Sequence, residues 1–155
     1  MEVISGEMKQ SLNTGKVSNA LAKVQAEMGV LTVDKSGYNY EYLTLAKMLE
    51  VLLPISGKHN LSIAQFPKVV VVDEQPWVGL STRISCEEEY FDSYIEFPMI
   101  EVSKKTDTDI MMMGSTISYL RRFVLQSIFS ISGADKDPEQ MQKENIETTT
   151  TKLKG

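Results

Sequence analysis

Apolar residues recur with helical spacing through the first third of the chain. Val17, Leu21, Val24 and Met28 are 4, 3 and 4 positions apart, which places them on one helix face. Gly15 and Ser18 stand at its start and Gly29 stops it. The stretch 5–14 is read as adding a turn or two in front. In LTVDKSGYNYEY, Asp34, Ser36 and Gly37 are turn formers, and Tyr38, Tyr40 and Tyr42 alternate as on one extended segment. A second helix carries Leu45, Met48, Leu49, Leu52 and Leu53 on one side. Pro54 lies inside that pattern and predicts a kink or a broken last turn before Gly57.

From residue 61 the period changes to two. LSIAQF, VVVV, WVGLSTRIS and YFDSYIEF are rich in β-branched and aromatic residues, which predicts strands at 61–72, 77–87 and 90–97 in an antiparallel meander. Pro67 is expected to interrupt or bulge the first of these, and Pro98 to end the sheet. After the polar loop SKKTDTD comes a helix over about 108–130. Its apolar stripe is Met113, Ile117, Leu120, Val124 and Ile128. Its polar stripe is Ser115, Ser118, Tyr119, Arg122 and Gln126. Gly133 is the expected stop. The predicted class is α+β: an antiparallel three-stranded β-meander packed against a long C-terminal helix, with two preceding helices. Residues 1–137 form the expected domain and 138–155 a polar, flexible tail with few apolar residues.

Composition narrows the chemistry. The chain of 155 residues is long enough to bury a substantial core. One cysteine, Cys86, excludes an intramolecular disulfide and a Cys-rich zinc site, so a reducing compartment is expected. No apolar run is long enough to span a membrane, and the N-terminus lacks a signal-peptide pattern. Phosphate-cradling loops and the H-E-x-x-H pattern are missing. His59 has no evident nucleophile or orienting carboxylate and reads as a helix-end residue. Asp107/Asp109 and Asp135/Asp137 read as a helix cap and a solvated loop, rather than as ligands for a divalent cation. The chain is therefore read as a non-enzyme without a cofactor or metal.

A net charge of −5 from 16 basic and 21 acidic residues at first disfavours a nucleic-acid partner. The acidity is segregated, however. Residues 71–101 hold eight acids against Arg83, whereas 102–125 hold Lys104, Lys105, Arg121 and Arg122 against Asp107 and Asp109. Glu87, Glu88 and Glu89 read as a hairpin tip with solvated charges. Lys35 followed by Tyr38 and Tyr40 combines a cation with rings, the combination used for sequence-independent binding of single strands. Tyr42 is assigned to packing. Ser115, Ser118, Tyr119 and Arg122 form a helix face suited to phosphate and sugar. Arg121 points elsewhere, about 100° away from Arg122. At least one of these arginines is expected to pair with a carboxylate of the sheet or a loop.

Gly114-Ser115-Thr116-Ile117-Ser118-Tyr119-Leu120-Arg121-Arg122-Phe123-Val124-Leu125, followed by Asp135-Lys136-Asp137, resembles a family signature. The signature runs Gly-small-x-Ile-Thr-Tyr-Ala-Arg-Arg-Tyr-x-Leu and then an acidic cluster. It belongs to the ERF (essential recombination function) family of phage single-strand annealing proteins. Lys35, Tyr42-Leu43-Thr44-Leu45, Pro54 and Leu61–Gln65 match the family's upstream block, and Ala20–Gln25 resembles its opening helix. Ser118, Leu120 and Phe123 depart from the usual Thr, Ala and Tyr.

The resemblance implies ATP-independent annealing of complementary single-stranded DNA by a homo-oligomeric ring or filament, in recombination and repair. Strand contact is then expected from Lys35, Arg121 and Arg122, with Lys104 and Lys105 as a second cationic site and Tyr38, Tyr40 and Tyr119 as stacking or positioning groups. A host or phage single-strand-binding protein or an exonuclease is the implied protein partner, and the bacterial cytoplasm the implied compartment. The alternatives are a protein-interaction adaptor using the acidic sheet segment and a small metal-dependent nuclease.

Overall fold

The computed structural model describes residues 8–29, 35–37, 40–99 and 108–131, with the strands at 35–37 and 40–42 described by their backbone. The elements are β1 (Lys9–Gln10), α1 (Gly15–Met28), β2 (Lys35–Gly37), β3 (Tyr40–Tyr42), α2 (Leu45–Lys58), β4 (Ser62–Val72), β5 (Gln75–Cys86), β6 (Glu89–Pro98) and α3 (Asp109–Phe129). The fold is α+β, with the long helix following the meander. The antiparallel sheet runs β1-β6-β5-β4, and β2 pairs separately with β3.

Register explains how the sheet divides its residues. Val78, Leu80, Thr82, Ile84 and Cys86 of β5 alternate to the buried side and meet the helices. Trp77, Gly79, Ser81, Arg83 and Ser85 alternate to the other side. The β4–β5 turn is made by Asp73 and Glu74 at φ 49° and 62°. A two-residue loop with both residues left-handed has the twist a tight hairpin needs.

The helices lie on the buried side. Val17, Val24, Leu43, Met48, Leu52, Ile84, Leu125 and Phe129 belong to the larger core cluster, while Val78, Leu80, Leu120 and Val124 form a second one under α3. Thr44 caps α2 through Oγ1, which accepts from the Lys47 amide at 3.2 Å, and Thr108 caps α3 in the same way at 3.4 Å from Met111. His59 follows the last residue of α2, and its Nε2 lies 2.6 Å from Glu27 Oε1. Lys58 and His59 hold the Glu27 carboxyl below its ordinary range.

Several expectations change. Lys9 and Gln10 do not extend a helix but pair with Asp92 and Phe91 of β6. Two residues are too few to display a period. Lys35 and Tyr42 do not share one extended segment either, since they stand opposite each other in the antiparallel β2–β3 pair. Pro54 does not break α2 before Gly57, for the helix runs on to Lys58. Nor does Pro67 interrupt β4, which keeps continuous register from Ser62↔Ser85 to Val72↔Gln75. β4 is an edge strand, where a missing N–H is tolerated.

Helix α3 runs over Asp109–Phe129, as expected, and Ser130 after it is left-handed at φ 51°. Gly133 lies outside the described residues. The buried stripe of α3 includes Thr116, Leu125 and Phe129 as well as Leu120 and Val124, because the helix packs on α1 and α2 as well as the sheet. Thr116 joins it by donating its hydroxyl to the Met112 carbonyl at 2.8 Å.

Candidate nucleic-acid interface

The face of α3 opposite its buried stripe presents Ser115, Ser118, Tyr119, Arg122 and Phe123. Tyr119 and Phe123 are four positions apart, one helical turn, so their rings meet at 5.6 Å between centroids with planes inclined 41°. Both keep 47% of their surface exposed. The Arg122 guanidinium carbon lies 4.9 Å from the Tyr119 centroid and 5.3 Å from that of Phe123. Attraction between guanidinium and ring faces contributes about 0.5–1 kcal/mol at exposed sites. Its larger effect is to hold the cation in one place beside two available aromatic surfaces. Phe123 was not among the expected contact residues, although its spacing from Tyr119 was visible in the sequence.

Arg121 is directed to the sheet. Its Nε donates to Gln65 Oε1 at 3.2 Å, and Gln65 Nε2 donates to the Arg121 carbonyl at 3.4 Å and to Thr82 Oγ1 at 3.2 Å. The expected carboxylate partner is thus a glutamine on the buried side of β4. Gln65 ties α3 to the sheet edge and orients Arg121 away from the Arg122 cluster.

The remaining expected contacts are not assembled with this face. Lys35 and Tyr40 occupy the β2–β3 hairpin, with Tyr40 opposite Gly37. Tyr38, Lys104 and Lys105 lie outside the described residues, as do Asp107, Asp135 and Asp137. Among the described residues no group of three or more His, Cys, Asp or Glu side chains is placed to hold a metal ion. None of the described helices is long and apolar enough to cross a membrane.

Four of the eight acids in the acidic block are engaged in contacts. Arg83 forks onto Asp92 at 2.6 and 2.7 Å and holds that carboxyl below its ordinary range. Glu96 accepts from the Tyr94 hydroxyl at 2.5 Å, Glu87 pairs with Lys16, and Glu89 accepts from the first amides of α1. Glu87 and Glu88 form the exposed tip of the β5–β6 hairpin, as expected, whereas half-buried Glu89 has a structural task at the start of α1. The charge of Glu87 and Glu89 is compensated at the α1 end of the sheet.

The fold is an α+β meander with its helices on one side, and the long helix carries a cation beside two exposed rings. The family model described as ERF superfamily matches residues 17–154, and the chain belongs to that family. The family acts in phage recombination by single-strand annealing, and single-stranded DNA is the ligand class it implies. No curated protein and no solved structure matches the chain.

Proposed function

We propose that the protein binds single-stranded DNA and anneals complementary strands without ATP, as a homo-oligomeric ring or filament in homologous recombination. The observation that carries this reading is the Arg122 guanidinium held beside Tyr119 and Phe123 on the exposed face of the family's signature helix. A ring face stacks on any base and a guanidinium meets any phosphate, so the cluster is suited to sequence-independent contact. Annealing further requires exposed base edges and weak binding per subunit, so that register can be searched. Many weak contacts in one assembly then supply retention.

Ser115, Ser118, Tyr119 and Arg122 are the proposed contacts on α3. Lys35, Tyr38, Tyr40, Lys104 and Lys105 add contacts from the hairpin and the loop before the helix. Arg121 contributes by fixing the helix on the sheet. The annealing domain is proposed to span 1–137, with 138–155 as a tail. No cofactor takes part, and a single-strand-binding protein or an exonuclease is the proposed protein partner.

Mixing the protein with two complementary fluorescent oligonucleotides, with and without EDTA and ATP, tests the reading. Accelerated duplex formation under all conditions is expected. Strand cleavage that EDTA abolishes would replace it with a metal-dependent nuclease. Absence of any binding at low salt would favour the acidic-surface adaptor.

A further inference from the structure

The sheet has a second side. Register puts Phe66 and Lys68 of β4, Trp77 and Arg83 of β5, and Tyr90 and Tyr94 of β6 on the side away from the helices. Neither core cluster contains a residue of this side. An antiparallel sheet with one solvated side normally clothes that side with polar residues. Here Phe66, Trp77, Tyr90 and Tyr94 are aromatic, and Phe66 keeps 61% of its surface exposed.

Cations sit against these rings. Lys68 Nζ lies 4.9 Å from the Tyr94 centroid, and the Arg83 guanidinium carbon 4.1 Å from that of Tyr90. Phe66 shares its side of β4 with Lys68, two positions on, and stands in one row with Ser81 and Tyr94. Gly79, opposite Lys68, lets the Tyr94 ring lie across β5 beneath that lysine. The cation-and-two-rings unit of α3, Arg122 with Tyr119 and Phe123, thus recurs on a different element.

Charge on this side favours an anion. Within the strands it carries Lys9, Lys68 and Arg83 against Asp92 and Glu96. Both acids are held, Asp92 by the Arg83 fork and Glu96 by the Tyr94 hydroxyl. Lys68 has no carboxylate partner among the described residues. Asp73 and Glu74 lie in the turn at one end of the sheet, and Glu87 and Glu88 in the turn at the other. An anionic chain is therefore received across the middle.

We propose that this side is a second surface for single-stranded nucleic acid. Phe66 is the open ring for a base, and Lys68 and Arg83 meet phosphate. Arg83 gives Nε and Nη2 to Asp92, and a guanidinium has further donors. Exposed aromatics on a sheet stack unpaired bases of any identity. The α3 face lies on the opposite side of the sheet, so one subunit can hold two strands, the number that annealing joins. The inference rests on the strand-binding part of the proposed function and deepens it.

Phe66 and Lys68 are exposed on an edge strand, so Phe66→Ala and Lys68→Gln are compatible with the fold, and urea unfolding checks this. Titration with a short fluorescent oligothymidylate at low salt is expected to saturate at two molecules per subunit. Phe66→Ala should weaken one of the two about tenfold. The double variant Phe66→Ala/Lys68→Gln should saturate at one, as should Arg122→Ala, and the three substitutions together should abolish binding. One molecule per subunit in the unaltered protein, or two in the double variant, overturns the sheet site. A smaller sedimenting mass of the double variant with strand binding unchanged would assign this side to a contact between copies instead. Duplex formation measured on the same samples separates the two readings. Annealing by a protein with one strand site per subunit removes the sheet site alone, and two sites without annealing remove the proposed function alone.

Discussion

Glu89 caps the helix that buries Val17. Its Oε2 accepts from the Val17 amide at 3.0 Å and from the Lys16 amide at 2.5 Å, while Thr14 at the N-cap position makes no side-chain bond. A carboxylate at this end satisfies orphan amides and complements the helix dipole. Glu89→Ala is expected to lower stability by about 1 kcal/mol, the usual worth of a cap. Exposed Glu88→Ala should leave it unchanged. The shift in urea midpoint for the two variants decides the matter, and equal midpoints would discount the cap.

Arg122→Ala is expected to weaken single-strand binding and to lower the salt dependence of affinity by about 0.7 in log–log slope, one phosphate contact. Arg122→Lys keeps the charge but not the planar guanidinium beside the rings, so it should retain the slope and lose part of the affinity. Fluorescence anisotropy over a salt series measures both. Unchanged binding in Arg122→Ala, with the fold intact, would take Arg122 out of the interface.

Arg121 should behave differently from its neighbour. Because its Nε is engaged with Gln65, Arg121→Ala is expected to cost about 1 kcal/mol of stability while changing strand affinity less than Arg122→Ala. Gln65→Ala should act on the same contact, so the double variant should lose less than the sum of the single ones. Additive losses in urea unfolding would mean that the two side chains act independently.

Tyr94 offers a pH signature. Burial, and then the hydrogen bond to Glu96, push its phenol up to about 12. The folded state holds this proton more tightly than the unfolded chain, so the associated stability is complete below pH 10 and is lost between about 10 and 12. Absorbance titration at the tyrosinate band should show a late-ionising step, and Tyr94→Phe should remove it. The ring has room because residue 79 is glycine, where a Cβ would overlap the Tyr94 hydroxyl. Gly79→Ala is therefore expected to displace the ring and return the late step to the ordinary range.

Periodicity made α1, α3 and the meander legible, since each buries one side along many residues and repetition leaves a trace. Strand β1 left none, because two residues gain their conformation wholly from β6. Pro67 was misjudged because edge position follows from strand order, which local pattern does not contain. The Arg122 face was readable as a polar stripe, and Phe123 could have been added from its spacing to Tyr119. The partner of Arg121 could not, because Gln65 is 56 positions away in the chain and is brought near only by packing. The task of Glu89 was hidden in the same way, as it depends on where α1 begins.

The pairing of β1 with β6 sets an order of events during synthesis. Lys9 and Gln10 have no strand partner until Phe91 and Asp92 exist, and the amides that open α1 wait for Glu89. Strand β1 is thus committed only after some eighty further residues have left the ribosome. Closing so long a loop costs chain entropy before any contact returns it. Formation of the β5–β6 hairpin is the step that ends this wait, and it makes the N-terminal segment the last part of the sheet to settle.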